Sequence, residues 1–207
     1  FSLVNPDAQA DLVNEGVLIL SMRDGVYTHL FAYHPSLLPL TRLTNQPWDE
    51  MHPSLSPDGA RLAYTSRQNG YWDLFILDLQ TGDRLRLTDT IEYEGSPTWS
   101  PDSQWLAYEA YVEGNLDIYL RSLTDPSMEP ILLTTESPGI DRAPAWSPLG
   151  RQIAFISDRS GEAEIWLADL DVSADRFTNL SRNPKVSEDH PVWSPEGRFL
   201  SWASPYN

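Results

Sequence analysis

Three features of this 207-residue sequence predict an all-β protein built from tandem four-stranded antiparallel units. A turn followed at once by an apolar strand recurs at nearly constant spacing. Segments with two-residue alternation run between its copies. Seventeen Pro and eleven Gly divide the chain into short pieces, which favours strands over helices.

The recurring block reads HPSLSPDGARLAYTS (52–66), SPTWSPDSQWLAYEA (96–110), RAPAWSPLGRQIAFIS (142–157) and DHPVWSPEGRFLSWAS (189–204). Its turn prolines, Pro57, Pro101, Pro148 and Pro195, stand 44, 47 and 47 residues apart. A fixed period with length changes confined to loops marks structural repeats. Proline presets φ for the second turn position, Asp or Ser bonds back to the backbone, and Gly accepts the positive φ that follows. Ser56, Ser100, Ser147 and Ser194 precede the four prolines. Before them stand Leu55, Trp99, Trp146 and Trp193, which read as wedges between units. Burying each Trp is worth about 2–3 kcal/mol.

After the block comes a polar turn and a strand with large residues on both faces: DLFILDL (73–79), DIYLRSL (117–123) or EIWLADL (164–170). A second turn leads to a short edge ending at Leu87-Thr88, Leu133-Thr134 or Leu180-Ser181. Residues 15–44 supply three strands of an earlier unit, and SLVNPDAQ (2–9) reads as a degenerate copy of its turn. The repeat units are then 1–55 (degenerate), 56–99, 100–146, 147–193 and 194–207 (partial), within one domain, 1–207. A lone four-stranded sheet cannot bury two apolar faces, but neighbouring sheets cover each other. The expected fold is therefore a β-propeller of about four full blades plus part of a fifth. Half a blade at one end suggests an excised or incomplete part of a larger propeller, or pairing between the terminal strands and the N-terminal segment.

The pattern PxWSPDG…IAFxSDRxGxxxIWxxDL…LT resembles the WD40-like (PD40) repeat of TolB-type propellers. The best copy spans 144–181, with Leu149 where the family has Asp. The resemblance covers 52–204 and, more weakly, 15–44. The Gly-His and Trp-Asp signatures of true WD40 blades are absent, since Trp72-Asp73 sits within a strand region. The resemblance implies an interaction scaffold in an extracytoplasmic bacterial setting, periplasmic or at the cell surface.

A formal charge of −16, from 14 basic and 30 acidic residues, opposes general affinity for nucleic acid or anionic membrane. It leaves a protein or peptide partner with a basic segment, or a cation, as fitting ligands. With no cysteine there is neither thiol chemistry nor a Cys-ligated metal. No run of about twenty apolar residues predicts membrane insertion. The chain begins at Phe1 without a visible export signal, which reads as a processed chain or an excised piece.

Catalytic signatures are missing: no Gly-x-Ser-x-Gly elbow, no Gly-rich phosphate loop and no dinucleotide fingerprint. A non-catalytic recognition module without a cofactor is therefore expected. The rivals are the gating propeller of a serine oligopeptidase, whose hydrolase domain lies outside this chain, and a metal-dependent lyase-like propeller. One further regularity bears on the ligand. Glu50, Glu94, Asp141 and Glu188 stand three residues before Pro53, Pro97, Pro144 and Pro191. His52, Ser96, Ala143 and His190 stand one before, and Asp189 adds a second acid in the last unit. In a propeller these positions open the innermost strands near one channel mouth. There Glu50, His52, Glu94, Asp141, Glu188, Asp189 and His190 would meet a cation or a basic segment. The alternative is that each carboxylate caps its own loop by accepting backbone N–H bonds. Asp73, Asp117 and Glu164 read as surface or loop-anchoring groups. The Ser-Arg pairs of SRQNGY (66–71) and SDRSGE (157–162) read as bridges to a neighbouring blade.

Overall fold

The computed structural model describes residues 16–34, 36, 38–135, 138–183 and 185–205. The degenerate turn expected at 2–9 lies outside them. The described residues form seventeen strands and one 3-10 turn, Gln68–Gly70, with no α-helix. No helix among them is long and apolar enough to cross a membrane.

Chain contacts divide the protein into two compact units, Phe1–Pro97 and Thr98–Asn207. The first unit opens with a three-stranded antiparallel sheet, β1 (Leu18–Asp24), β2 (Tyr27–His34) and β3 (Leu38–Arg42). A four-stranded sheet follows in chain order: β4 (Glu50–Leu55), β5 (Arg61–Ser66), β6 (Asp73–Asp78) and β7 (Arg84–Arg86). Leu30, Ala32 and Leu43 from the first segment share one core cluster with Leu62, Tyr64, Phe75 and Leu77 from the second. Sheet-on-sheet burial is thus how these two-faced apolar strands are covered.

The division falls inside β8 (Glu94–Trp99), which with β9 (Trp105–Val112), β10 (Asn115–Ser122) and β11 (Ile131–Leu132) makes the third sheet. The second unit continues with β12 (Asp141–Trp146), β13 (Gln152–Ser157), β14 (Glu164–Asp169) and β15 (Phe177–Asn179). It ends in a two-stranded sheet of β16 (Asp189–Trp193) and β17 (Leu200–Ala203), the two strands expected of the partial unit. Ala107, Ile118, Leu120 and Leu133 of the third sheet share a core with Ile153, Phe155 and Ala168 of the fourth, and Trp146 packs against it. Of the expected wedges, Trp99 is buried, while Trp146 and Trp193 are half-buried. The Trp193 indole N–H also donates to the Ala145 carbonyl, 3.0 Å away, tying β16 to β12.

Registers repeat from sheet to sheet: Ser66 faces Asp73, Ala110 faces Asp117 and Ser157 faces Glu164. The repeated residues explain why. In the Ser-Pro-Asp turns, the Ser56 hydroxyl donates to Asp58 and accepts from Arg61 N–H, and Asp58 accepts from Ala60 N–H. Ser100, Asp102, Gln104 and Trp105 make the same set. The turn closes with the N–H of Gly59, Ser103, Gly150 or Gly197 on the carbonyl of the serine three residues earlier. At this fourth position Gly59 and Gly197 have φ of 69° and 66°, and Ser103 is held at 58°. A side chain there is strained where glycine is not. Replacing Ser103 by Gly is expected to stabilise the protein by about 0.5–1 kcal/mol, read as a higher urea midpoint at unchanged slope. An unchanged or lower midpoint would mean that the contacts of the Ser103 side chain outweigh the strain.

The Leu-Thr endings have an equally local cause. Leu43, Leu87, Leu133 and Leu180 each donate their N–H to the carbonyl of Leu30, Leu74, Ile118 or Ile165, at 2.8 Å. The following hydroxyl, of Thr44, Thr88, Thr134 or Ser181, accepts the N–H of that same residue at 2.9–3.1 Å. A buried strand N–H beyond the last ladder bond is thereby satisfied, each bond contributing about 1 kcal/mol.

Candidate functional site

Three of the innermost strands begin with a bulge. The register of β4 slips between Met51 and Ser54, that of β12 between Arg142 and Ala145, and that of β16 between Asp189 and Val192. At the slip, and at the matching place in β8, the residue before proline takes a positive φ: His52 51°, Ser96 49°, Ala143 50°, His190 55°. A residue before proline normally stays extended, so the surroundings must enforce this conformation. The acidic residue two positions before each of them is part of those surroundings, and it is buried: Glu50 is 0 % exposed, Glu94 5 %, Asp141 0 % and Glu188 3 %.

In the first unit, Glu50 is met by an arginine laid across the sheet. Arg84 starts from β7, passes over the Phe75 and Tyr64 rings at 5.4 and 5.7 Å, and donates Nε–H to the Tyr64 hydroxyl at 2.7 Å. It ends 2.9 Å from Glu50 Oε1. Burial pushes the Glu50 carboxyl above its ordinary range, against the pull of the Thr44 hydroxyl and Arg84. His29 Nδ1 lies 3.7 Å from Glu50 Oε2, but burial and Arg42 depress the imidazole, so the neutral ring stands beside the carboxylate without a charge of its own. Glu94 accepts the Thr90 hydroxyl at 2.7 Å, and Thr90 N–H donates to Asp73, which Arg86 grips at 2.7 Å. Burial raises the Glu94 carboxyl as well, ahead of the opposing Thr90 and Thr88 hydroxyls.

In the second unit, Arg159 repeats the arginine bridge from a different place in the chain. Its guanidinium lies 5.3, 4.9 and 4.7 Å from the Phe155, Trp166 and Phe177 ring centres, and Nη2 contacts both Asp141 oxygens at 3.0 Å. Burial raises Asp141, with the Ser157 hydroxyl and Arg159 acting against it. Glu109 of β9 accepts the N–H of the strained Ala143 at 2.7 Å. Asn115 donates to the Gly139 carbonyl, and Glu188 N–H donates to Ala163 at 2.7 Å. With Thr28 N–H on Asp49 and Glu94 N–H on Trp72 in the first unit, every sheet-to-sheet step within a unit carries such a latch at the start of the innermost strand.

The sequence-predicted residues thus separate by exposure. Glu50, Glu94, Asp141 and Glu188 are buried, and the Glu50, Glu94 and Asp141 carboxylates are met by side chains, of Arg84, Thr90 and Arg159. One oxygen each of Glu50, Glu94 and Glu188 has no hydrogen-bond partner among the described residues. His52 and His190 are exposed and Asp189 is half-exposed. Asp189 receives Arg142 Nη1 at 3.0 Å and lies 3.2 Å from His190 Nδ1. Partial burial works to raise this carboxyl, but Arg142 and the His190 N–H hold it below the usual range. No group of three or more His, Asp or Glu among the described residues is placed to hold a metal ion.

Two expectations are corrected. Asp73, Asp117 and Glu164 are 0, 8 and 2 % exposed, so the surface half of that reading fails, while Asp73 does anchor a loop by accepting Thr90 N–H. Asp73 and Glu164 open β6 and β14, Asp117 lies within β10, and the three bind Arg86, Asn179 and Thr134 in that order. Arg159 bridges within its own sheet, because the guanidinium reaches Asp141 by lying flat on that sheet's aromatic face, while Arg67 binds the Gly70 carbonyl and faces Trp72. Glu109 escaped the sequence reading, although it is the one acid at its place in LAYEA, where the other blocks have Thr65 and Ile156.

Comparison with known proteins follows the repeat. The model of the TolB beta propeller domain family matches residues 41–206. Among solved structures, TolB from Acinetobacter baumannii superposes with a TM-score of 0.73 at 21 % identity, covering 84 % of this chain and 42 % of that one. A putative TolB from Agrobacterium tumefaciens gives 0.67 at 20 %, covering 79 % and 60 %. An oligogalacturonate lyase in complex with manganese gives 0.65 at 16 %, covering 95 % and 57 %. The chain therefore has a β-propeller fold and spans less than two thirds of the length of each of these structures.

Proposed function

The chain belongs to the TolB beta propeller domain family, and from that premise we propose that it is a non-catalytic recognition module for a protein or peptide with a basic segment, working outside the bacterial cytoplasm. The observation that carries the reading is the bulged start of β16. There Asp189 is kept ionised by Arg142 and half-exposed, and His190 is presented beside it at 79 % exposure. His52 occupies the corresponding bulge in the first unit. A carboxylate fixed in place loses little side-chain entropy on pairing with an incoming Lys or Arg, and a net charge of −16 speeds encounter with such a segment.

The test is titration with a fluorescent Lys/Arg-rich decapeptide and with its Glu-substituted counterpart. The basic peptide is expected to bind more tightly and to weaken about tenfold between 50 and 200 mM salt. Asp189→Asn should weaken it several-fold, while Glu196→Gln, on the exposed turn at the other end of β16, should not. Equal affinity for both peptides, or equal loss in both variants, would reduce the effect to nonspecific charge and sink the proposal.

A further inference from the structure

The second unit also carries a cleft of about 760 Å³ at the end of β12 opposite Asp141. Its floor is the core of that unit, through Leu120 and Leu133, and Trp105 and Trp146 line it. The Trp146 indole is fixed by donating to the Gly150 carbonyl at 3.0 Å. Arg151 and Arg176 complete the lining, from the turn after β12 and the strand-connecting segment before β15. The volume and the apolar lining with few polar groups are those of small-ligand sites.

The charges in the cleft are unequal in what they have left to offer. Asp102 already accepts the Ser100 hydroxyl and the Gln104 N–H, and these bonds hold its carboxyl below the ordinary range. Asp171, outside the lining, pairs with Arg151 Nε at 3.0 Å, and among the described residues the further hydrogen bond of that guanidinium is a long one, Nη2 to the Leu170 carbonyl at 3.5 Å. The Arg176 guanidinium makes no ion pair among the described residues. In a chain with 30 acidic and 14 basic side chains, this cleft presents two indoles together with Arg176 and the Nη donors of Arg151.

From this we propose that the cleft binds a small amphipathic carboxylate, its aromatic or branched aliphatic body between Trp105 and Trp146 and its carboxylate on Arg176 and Arg151. Two indoles in the lining favour a flat or branched apolar body, and a guanidinium fork matches a carboxylate better than any neutral group. The site is separate from the basic-segment reading above, since it takes the opposite charge and lies at the end of β12, whereas that reading rests on the start of β16.

The probes are N-acetyl-L-phenylalanine and its uncharged amide, titrated into the full chain with the Trp105 and Trp146 indole N–H resonances observed by NMR. The acid is expected to shift both resonances saturably and to bind at least tenfold more tightly than the amide. Arg176→Gln, whose side chain has no ion pair to lose among the described residues, should weaken the acid and leave the amide unchanged, and Arg151→Gln/Arg176→Gln should weaken the acid at least tenfold. The proposal is overturned by shifts that do not saturate, by acid and amide binding alike, or by an Arg176→Gln variant that binds the acid as the parent does. Tighter binding of a pentapeptide ending in Phe with a free carboxylate would overturn it too, by making the occupant a protein terminus.

Discussion

Arg159→Ala is expected to lower the stability of the protein by about 3–5 kcal/mol, the loss typical of removing one partner from a buried ion pair. Asp141 is fully buried and Arg159 is 13 % exposed, so solvent cannot replace the guanidinium without opening the sheet. The same substitution removes the cation from three aromatic faces, Phe155, Trp166 and Phe177, and leaves the Ser157 hydroxyl without its Nε donor. Urea unfolding measures the effect. Arg159→Lys should recover only part of the loss, because an ammonium can approach Asp141 but cannot lie flat on the rings. The double variant Arg159→Met/Asp141→Leu should recover most of it, since replacing both charges removes the desolvation cost with the attraction. A loss below 1 kcal/mol for Arg159→Ala would show that water reaches Asp141.

Arg84→Ala should destabilise the first unit comparably, by about 3–5 kcal/mol at pH 7, and its effect should depend on pH. Glu50 is fully buried, and burial already raises its carboxyl although Arg84 pulls the other way. Without Arg84 the folded-state value rises further, while the unfolded value stays near the ordinary one. A carboxyl raised on folding contributes stability that is fully present below its unfolded pKa and is lost as pH rises through its folded pKa. The gap between variant and parent should therefore be widest near pH 7 and narrow as the pH falls toward the ordinary carboxylate range. His29 acts in the opposite sense: its depressed imidazole contributes stability above its ordinary value of 6.5, lost as pH falls. His29 stands 3.7 Å from Glu50, so both proteins are compared in a His29→Gln background, where the difference between their urea midpoints at pH 7 and pH 5 isolates Glu50. A gap that is constant with pH, or that widens on acidification, would contradict the assignment.

The two arginines show where sequence reading stops. Both perform one task, spanning an aromatic sheet face to neutralise the acid that opens the innermost strand. Arg84 does so from the fourth strand and Arg159 from the turn after the second, so no spacing rule links them. The acids, by contrast, were legible as a column three residues before each proline. Their chemistry was not: a column of carboxylates reads equally as an open mouth or as buried latches, and only burial separates the two.

By itself, the sequence determined the repeat, the turns and the two-faced strands. Those depend on residues close in the chain: proline setting φ, serine and aspartate bonding back to their own turn, a threonine hydroxyl closing the end of its own sheet. The tertiary structure decided which charges are spent and which are presented. Glu50, Glu94, Asp141 and Glu188 became internal groups, leaving Asp189, His190 and His52 outside, and two tryptophans became the walls of a cleft with a pair of arginines. The reason is physical: exposure and charge pairing are properties of packed and paired strands, between residues that are 15 to 47 positions apart in the chain.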